Sequence, residues 1–322
     1  MAFEYSVVIR TLGLAGKYYQ QTLDSLLTQT IQPKDIIVYI AGGYPIPKET
    51  IGIERYVYVK KGMVSQRALP FDEIESEYIL FLDDDVFLPS DAVENLYRKM
   101  VVNDGDVISP CTFENHRHQW GHKIRLALTG KELFRILDNR WGFKVMRTAG
   151  FSYNNNPKKE VYESQTNAGP CFFCKKKDFL KIEYQDEMWL DETFYALPDD
   201  QVMFYKMYKM GLKVLTVFNS GIIHLDASST IKVSAEKTNK LVYSEYRNKL
   251  IFWHRFIYLP STTWFEKISS VLIISYAYGL QYFKALILQL KGEVERSRFF
   301  VEGVQDALKY LKSDAYKSLK KV

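Results

Sequence analysis

Three consecutive carboxylates, Asp83, Asp84 and Asp85, follow the apolar run at residues 78–82. Adjacent carboxylates repel one another unless a positive group lies between them, and a divalent cation is a natural partner. Oxygen ligands favour magnesium or manganese, which bind through one or two carboxylates together with substrate phosphates. The triplet therefore predicts a metal site for a nucleotide diphosphate, and a simple polar strand end is the alternative.

A second acidic pair, Asp199 and Asp200, stands directly before a predicted helix at residues 201–210 that ends at Gly211. Aspartate is a preferred N-terminal cap and complements the helix dipole, so one of the two is expected to cap this helix. One carboxylate suffices for a cap. The other could accept a proton from an attacking hydroxyl as a general base.

A histidine and two cysteines are further candidates. His224 follows the strand-like run at 213–218, where it is either a structural residue or the imidazole that completes a carboxylate metal site. Cys171 and Cys174 have metal-ligand spacing, but no second Cys or His pair lies at a matching distance, so alternation on a strand is favoured. The chain also lacks a P-loop and a Gly-x-Gly-x-x-Gly fingerprint, which argues against those nucleotide-binding classes.

Short apolar strands must position these side chains. They are predicted at residues 5–9, 36–40, 56–59 and 78–82, with a helix at 18–29. Continuous apolar strands alternating with helices imply a parallel sheet covered on both faces. Ligands bind such sheets beyond the carboxyl ends of the strands, so we expect an α/β fold with its site at that edge.

Two later regions differ from this pattern. From residue 112 to 167 polar clusters replace strand periodicity, which indicates an inserted, substrate-facing region. From about Ala235 the composition is helical to the end, with breaks at Pro260 and Gly292. We expect a helix or helical pair at Trp264–Leu290 that either lies on a membrane or packs on the preceding domain. The uncharged run at 268–283 is shorter than the roughly 20 residues of a spanning helix.

Composition narrows the class of protein. The chain has 322 residues, 47% of them hydrophobic and 25% charged, which is typical of a globular protein. A net charge of +5 without a dense Lys/Arg stripe argues against a nucleic-acid partner and is compatible with an anionic small molecule or a membrane surface. Three cysteines cannot all pair internally, and no signal-peptide pattern is present, so a cytoplasmic location is expected.

Together these motifs resemble the family 2 glycosyltransferases of bacterial type, a group of mostly inverting enzymes with the GT-A fold, over residues 3–229. Residues 61–67, Lys-Gly-Met-Val-Ser-Gln-Arg, are similar to the Gly and Arg stretch that lines the family's donor site. Residues 82–86 are similar to its metal-binding Asp-x-Asp motif, and Asp199-Asp200 to its acidic pair before a helix. Several moderate motifs in the right order are more specific than any one alone.

The resemblance implies a Rossmann-like mixed, mostly parallel sheet flanked by helices, with a C-terminal helical extension. The catalytic domain is expected at 1–235, with a donor half at about 1–110 and an acceptor half at about 111–235, followed by a helical region at 236–322. In the implied site, Asp200 is the catalytic base and Asp199 is the acceptor-side helix cap. A Mn²⁺ or Mg²⁺ ion is held by Asp83, Asp85 and His224. The donor is contacted by Thr11, Gly62, Arg67, Asp83 and Asp84.

The implied reaction is inverting transfer of one sugar from a nucleotide diphosphate sugar, with a UDP-sugar favoured, to a hydroxyl of a glycan or lipid-linked acceptor. The setting is bacterial surface polysaccharide synthesis at the inner face of the membrane. A single transfer is expected because the Gln-x-x-Arg-Trp motif of polymerising members is missing. Separately, residues 40–44 lack the acid with which many members contact the base of the nucleotide. The alternatives are a nucleotidyltransferase of the same fold and a non-catalytic glycan-binding or scaffold subunit.

Overall fold

The computed structural model describes residues 3–112, 140–154, 156–225 and 234–322. Its strands are β1 Tyr5–Thr11, β2 Ile36–Ala41, β3 Glu54–Val59, β4 Tyr78–Asp83, β5 Val86–Phe87, β6 Val107–Pro110, β7 Phe143–Val145, β8 Phe151–Tyr153, β9 Val161–Ser164, β10 Cys171–Lys175, β11 Val214–Val217 and β12 Ile223–His224. Its α-helices are α1 Lys17–Leu27, α2 Ala92–Val102, α3 Lys176–Lys181, α4 Asp199–Lys209, α5 Ala235–Phe252, α6 Trp264–Leu290, α7 Val294–Tyr310 and α8 Asp314–Lys317. A 3₁₀ helix spans Tyr184–Leu190, and a π-helical segment spans Trp253–Tyr258.

An eight-stranded mixed sheet forms the centre of the molecule, in the order β3-β2-β1-β4-β10-β6-β11-β9. Strand β1 pairs in parallel with β2 and β4, β2 with β3, and β6 with β11. Strand β10 is antiparallel to both β4 and β6, and β9 is antiparallel to β11. The predicted α/β class, with a mostly parallel sheet, flanking helices and a C-terminal helical region, is confirmed.

The central strands are apolar because both of their faces are covered. Strand β2 is buried throughout, and β10 contributes Cys171 to the core on one face of the sheet and Cys174 to the core on the other. Both thiols are free and buried, and burial raises the pKa of each. This placement agrees with alternation on a strand, since the two cysteines point in opposite directions.

The region from 112 to 167 contains more strand than its sequence predicts. Strands β7 and β8 form a small hairpin, and β9 extends the main sheet with Tyr162 opposite Thr216. The prediction of little strand structure was therefore wrong for this part. These strands are three or four residues long, too short for a period-of-two pattern to stand out. Residues 113–139 of the predicted insertion lie outside the described residues.

The C-terminal helices begin at Ala235, and the breaks expected at Pro260 and Gly292 are confirmed. Helix α6 is one continuous helix of 27 residues, not a pair, and it extends beyond both ends of the uncharged run. By length and composition it is apolar enough to cross a membrane, with a mean hydropathy of 1.5 in its most apolar window.

A buried ionic cluster joins these helices to the sheet domain. Glu187 is fully buried, and its carboxylate accepts hydrogen bonds from Arg255 at 2.8 and 2.9 Å and from Trp189 at 2.7 Å, while Lys206 lies 2.9 Å away. Burial alone would raise the pKa of Glu187, but the two cations outweigh it and hold the pKa below its usual value. This cluster thus holds the π-helical segment of the C-terminal region against the 3₁₀ helix that precedes α4.

Candidate active site

The carboxyl ends of β1 and β4 bring the acidic triplet against two residues of the first strand. Because β1 and β4 are parallel neighbours, Arg10 stands opposite Asp83 in the sheet register. Arg10 donates to the Asp83 carboxylate, and the Thr11 hydroxyl donates to Asp84. The Gly13 N–H donates to the Thr11 hydroxyl at 2.7 Å, which fixes its orientation. Part of the repulsion within the triplet is therefore relieved by the protein itself.

Burial distinguishes Asp84 from its neighbours in this group. Burial raises the pKa of Asp84 to about 6, and the charges of Asp83 and Asp85 act in the same direction, while the hydrogen bond from Thr11 opposes them. A bound cation would favour the ionised carboxylate, since an opposite charge nearby stabilises it.

The third acid is paired with the predicted histidine. Strand β12 pairs antiparallel with β5, directly after the triplet, and the Leu225 N–H donates to the Asp85 carbonyl at 2.7 Å. This pairing places His224 Nε2 3.0 Å from Asp85 Oδ1. Both side chains are partly open, at 32% and 11% exposure.

The donor set at Asp85 and His224 was tested for its fit to a divalent metal. Within the described residues, no group of three or more His, Cys, Asp or Glu side chains is arranged to hold an ion. An imidazole and a carboxylate side by side are nevertheless suitable ligands, and magnesium or manganese sites in enzymes commonly include phosphate oxygens of the substrate. The two side chains alone would therefore need further oxygen ligands to hold an ion.

A second cluster lies at the start of α4, where Arg67 forms ion pairs with both Asp199 and Asp200. The Arg67 side chain is only 1% exposed and Asp199 8%, whereas Asp200 is 25% exposed. The expectation that Asp199 caps the helix was wrong. Pro198 is the residue at the cap position, no side-chain cap is formed, and Asp199 lies inside the first turn because its carboxylate turns toward Arg67.

The two acids of this cluster differ in charge state. Burial raises the pKa of Asp199 to about 7, although Arg67 opposes the shift. Burial would also raise the pKa of Asp200, but Arg67, Arg10 and a backbone N–H from Gly169 outweigh it and hold the pKa below its usual value. Asp200 is therefore the ionised, more accessible carboxylate at neutral pH.

The dipeptide Gly169-Pro170 connects the two clusters. The Pro170 carbonyl accepts the Asp83 N–H at 2.8 Å, while the Gly169 N–H stabilises Asp200. A side chain at Gly169 has no room, because an added Cβ would lie 2.8 Å from both Arg67 Nη2 and Asp200 Cγ. The acidic triplet and Asp200 thus share one edge of the sheet.

The loop at residues 62–67 is held by a residue that sequence reasoning missed. Asp191 accepts hydrogen bonds from the Val64 N–H at 3.1 Å and from the Ser65 N–H and hydroxyl at 2.8 Å each. An added Cβ at Gly62 would lie 2.8 Å from Asp191 Cγ, so glycine is needed there. Asp191 thereby fixes the loop that carries Arg67.

Two residues of α5 hold the segment between Trp189 and α4. Arg247 donates to the Trp189 carbonyl at 3.0 Å and to Glu192 at 2.7 Å. Asn248, fully buried, donates to the Leu197 carbonyl at 2.8 Å, two residues before Asp199. The C-terminal helices therefore help to set the position of the acidic pair.

The predicted site residues lie at the carboxyl edge of the sheet, but the sequence predicted only some of the residues that contact them. Arg10, Gly169 and Asp191 were not singled out in the sequence. Arg10 is the one with a usable signal, since a charged residue near the end of an apolar parallel strand is unusual.

Solved structures share the fold of this chain, although its sequence matches no family model. No protein-family model and no curated protein sequence matches the chain. Among solved structures, S. aureus TarS residues 1–349 align with a TM-score of 0.54 and 13% identity, covering 97% of this chain and 82% of that one. The chain has a GT-A-like fold.

The GT-A-like fold is also found when the longer TarS structure is compared. It aligns with a TM-score of 0.52 and 13% identity over 98% of this chain, which spans only 50% of that protein. TarS 1–349 in complex with UDP-GlcNAc aligns with a TM-score of 0.48 and 12% identity, covering 98% of this chain and 83% of that one.

Proposed function

We propose that the protein is an inverting glycosyltransferase that moves one sugar from a nucleotide diphosphate sugar, with a UDP-sugar favoured, to a hydroxyl of a glycan or lipid-linked acceptor. The observation that carries this proposal is the Gly169-Pro170 bridge, which sets the triplet Asp83–Asp85 and the ionised Asp200 side by side. The GT-A-like fold supports it, since this is the fold of the glycosyltransferases that the sequence motifs resemble. Bacterial surface polysaccharide synthesis is the proposed setting.

The donor would bind at the carboxyl ends of β1 and β4. Asp83 and Asp84 lie at the end of β4 there and are hydrogen-bonded to Arg10 and Thr11. Gly62 belongs to the loop that carries Arg67. Arg10 and Arg67 add two buried positive charges beside an otherwise acidic cleft. These charges suit a diphosphate, which carries negative charge that the carboxylates alone would repel.

Asp85 and His224 would hold the Mn²⁺ or Mg²⁺ ion, with Asp83 as a further contact if it leaves Arg10. When bound, such an ion supplies positive charge that neutralises the departing diphosphate. Oxygen atoms of the donor diphosphate would complete the coordination of the ion.

Asp200 is the proposed general base. Its carboxylate is ionised at neutral pH and is the more exposed member of the acidic pair. The acceptor hydroxyl attacks the anomeric carbon from the face opposite the diphosphate, the bond to the diphosphate oxygen breaks, and the hydroxyl proton passes to Asp200. Arg67 holds the carboxylate in place during this transfer.

The variant Asp200→Asn tests this assignment. We expect it to lose sugar transfer by at least about 10²-fold, in the range typical of general-base removal, while nucleotide-sugar binding in the presence of manganese stays close to wild type. Asp24→Asn, on the exposed face of α1, is the matched control and should retain both properties. Transfer retained by Asp200→Asn would remove Asp200 as the base, and loss of binding as well would assign it to the donor site instead.

A further inference from the structure

Helix α6 exposes large apolar side chains along its whole length. Leu272 is 65% exposed, Phe283 63% and Leu290 82%, although such residues are normally covered in a globular protein. Only 22% of the most apolar window of the helix is buried, so α6 is not a core helix. The exposed large apolar side chains of this outer face are Trp264, Phe265, Ile268, Val271, Leu272, Tyr276, Tyr282, Phe283, Leu286, Ile287 and Leu290.

The opposite face of α6, which packs on the protein, is made of small and polar residues and one larger apolar residue, Ile274. Its buried positions are Ser270, Ile274, Ala277, Gln281 and Ala285. Two of them form hydrogen bonds inside the packing. The Trp253 indole N–H donates to the Ser270 hydroxyl at 2.9 Å, and the Tyr246 hydroxyl donates to the Gln281 side-chain oxygen at 2.7 Å. A helix that packs its polar side inward and its apolar side outward has the polarity of one that faces lipid.

The charged residues of α6 avoid the outer face. The helix contains Glu266, Lys267 and Lys284 as its charged side chains. At about 100° per residue, all three fall on the flanks of the buried stripe, about 100–160° around the helix from Leu272 and Phe283. Glu266 is also engaged in the capping box with Thr263 at the start of the helix. The outer face therefore presents an uncharged strip about 40 Å long, at about 1.5 Å per residue.

We propose that the outer face of α6 docks the protein on the surface of an anionic lipid bilayer. The helix lies in the plane of the membrane, because the packing of its inner face from Ser270 to Ala285 holds it against α5 and the π-helical segment. The chain from Lys284 to Val322 has nine Lys or Arg and five Asp or Glu, a net charge of +4. Five of these cations pair with nearby acids. The remaining positive charge complements anionic headgroups and would repel the same segment of a second copy, which favours lipid as the occupant.

Vesicle flotation tests the proposal with the full chain. The probe is vesicles of phosphatidylcholine, with or without phosphatidylglycerol. The double variant Leu272→Glu/Phe283→Glu places two charges on the outer face, and both positions are exposed, so folding should be retained. The matched control Val101→Glu/Val102→Glu changes two exposed apolar residues of α2, at 55% and 78% exposure.

We expect the wild type and the α2 control to float with the anionic vesicles and the α6 variant to lose binding by about tenfold or more, since two apolar side chains no longer insert. Binding should weaken in vesicles without phosphatidylglycerol. Equal flotation of the α6 variant, or no flotation of the wild type, would overturn the proposal. If sedimentation shows a wild-type dimer that the α6 variant alone converts to a monomer, and vesicles are not bound, the face is an interface between two copies. None of these readouts requires the proposed enzymatic activity.

Discussion

Substitution of Gly169 by alanine should separate the two carboxylate clusters that this residue joins. An added Cβ would lie 2.8 Å from Arg67 Nη2 and 2.8 Å from Asp200 Cγ, whereas ordinary contacts begin near 3.4 Å. Arg67 cannot easily move away, because it is 1% exposed and pairs with both Asp199 and Asp200, whereas Asp200 is 25% exposed. The variant must therefore displace the Asp200 carboxylate from Arg67.

The size of the effect follows from these contacts. Overpacking of a tight site costs about 1–3 kcal/mol of unfolding free energy. Displacement of a reacting group by a good part of an ångström should lower transfer on the order of 10- to 100-fold. The loss of stability should also depend on pH. Arg67 holds the folded-state pKa of Asp200 below its unfolded value, so this pair stabilises the fold above the unfolded pKa, and that contribution is lost as the pH falls through the folded-state pKa. The difference between variant and wild type should therefore be larger at pH 7 than in acid.

Chemical denaturation and a transfer assay measure the two effects of Gly169→Ala. Gly279→Ala is the control, because an added Cβ there meets nothing within 4 Å and a helical alanine should be neutral or stabilising by up to about 1 kcal/mol. If Gly169→Ala keeps wild-type stability and transfer, the tight approach between Gly169, Arg67 and Asp200 does not position the base.

Two further predictions concern the supports of the site. Asn248→Ala removes the hydrogen-bond donor to the Leu197 carbonyl. It should lower kcat by about tenfold, while KM for the nucleotide sugar changes little. An unchanged kcat would show that α5 does not position the acidic pair. Glu187→Gln leaves Arg255 buried without its counter-charge and Lys206 with only Asp186, 3.6 Å away, and should cost about 3–5 kcal/mol of unfolding free energy at pH 7. Glu236→Gln, in an exposed pair, should leave the stability close to that of the wild type. Because the pKa of Glu187 is lowered in the fold, the Glu187→Gln effect should shrink in strong acid, and a pH-independent difference would contradict this origin.

Much of the fold was predictable because its signals are local. The strands β1, β2 and β4 are continuous apolar runs, and the acidic triplet follows the last of them. Parallel strands end at one edge of a sheet, so the residues after them were expected to meet there. Gly211 likewise ends α4 with φ +87°, as its position after the periodic residues predicted.

The contacts within the site depend on strand order, which no local pattern contains. Arg10 meets Asp83 only because β1 and β4 are neighbours, although 73 residues separate the two. Asp191 likewise contacts Ser65, which is 126 residues away in the sequence. The local rule failed at Asp199, where the preference of aspartate for a helix cap is overridden by the buried ion pair with Arg67.

The sequence did not show which face of α6 packs on the protein. Its sequence indicated an apolar helix, but either a membrane surface or the preceding domain could have covered it. The side chains that pack inward turned out to be the small and polar ones, and this choice follows from hydrogen bonds to Trp253 and Tyr246 that only the tertiary structure reveals.

We propose that the edge of the sheet between Asp85, His224 and Asp200 binds and cleaves a nucleotide diphosphate sugar. This is tested by incubating the purified chain with a panel of nucleotide sugars, including UDP-GlcNAc, and measuring release of the nucleoside diphosphate with manganese and with EDTA. We expect release from at least one donor, and we expect EDTA and Asp85→Asn, but not Asp24→Asn, to abolish it. Release of pyrophosphate from a nucleoside triphosphate instead, or no release and no binding with any donor, would contradict it.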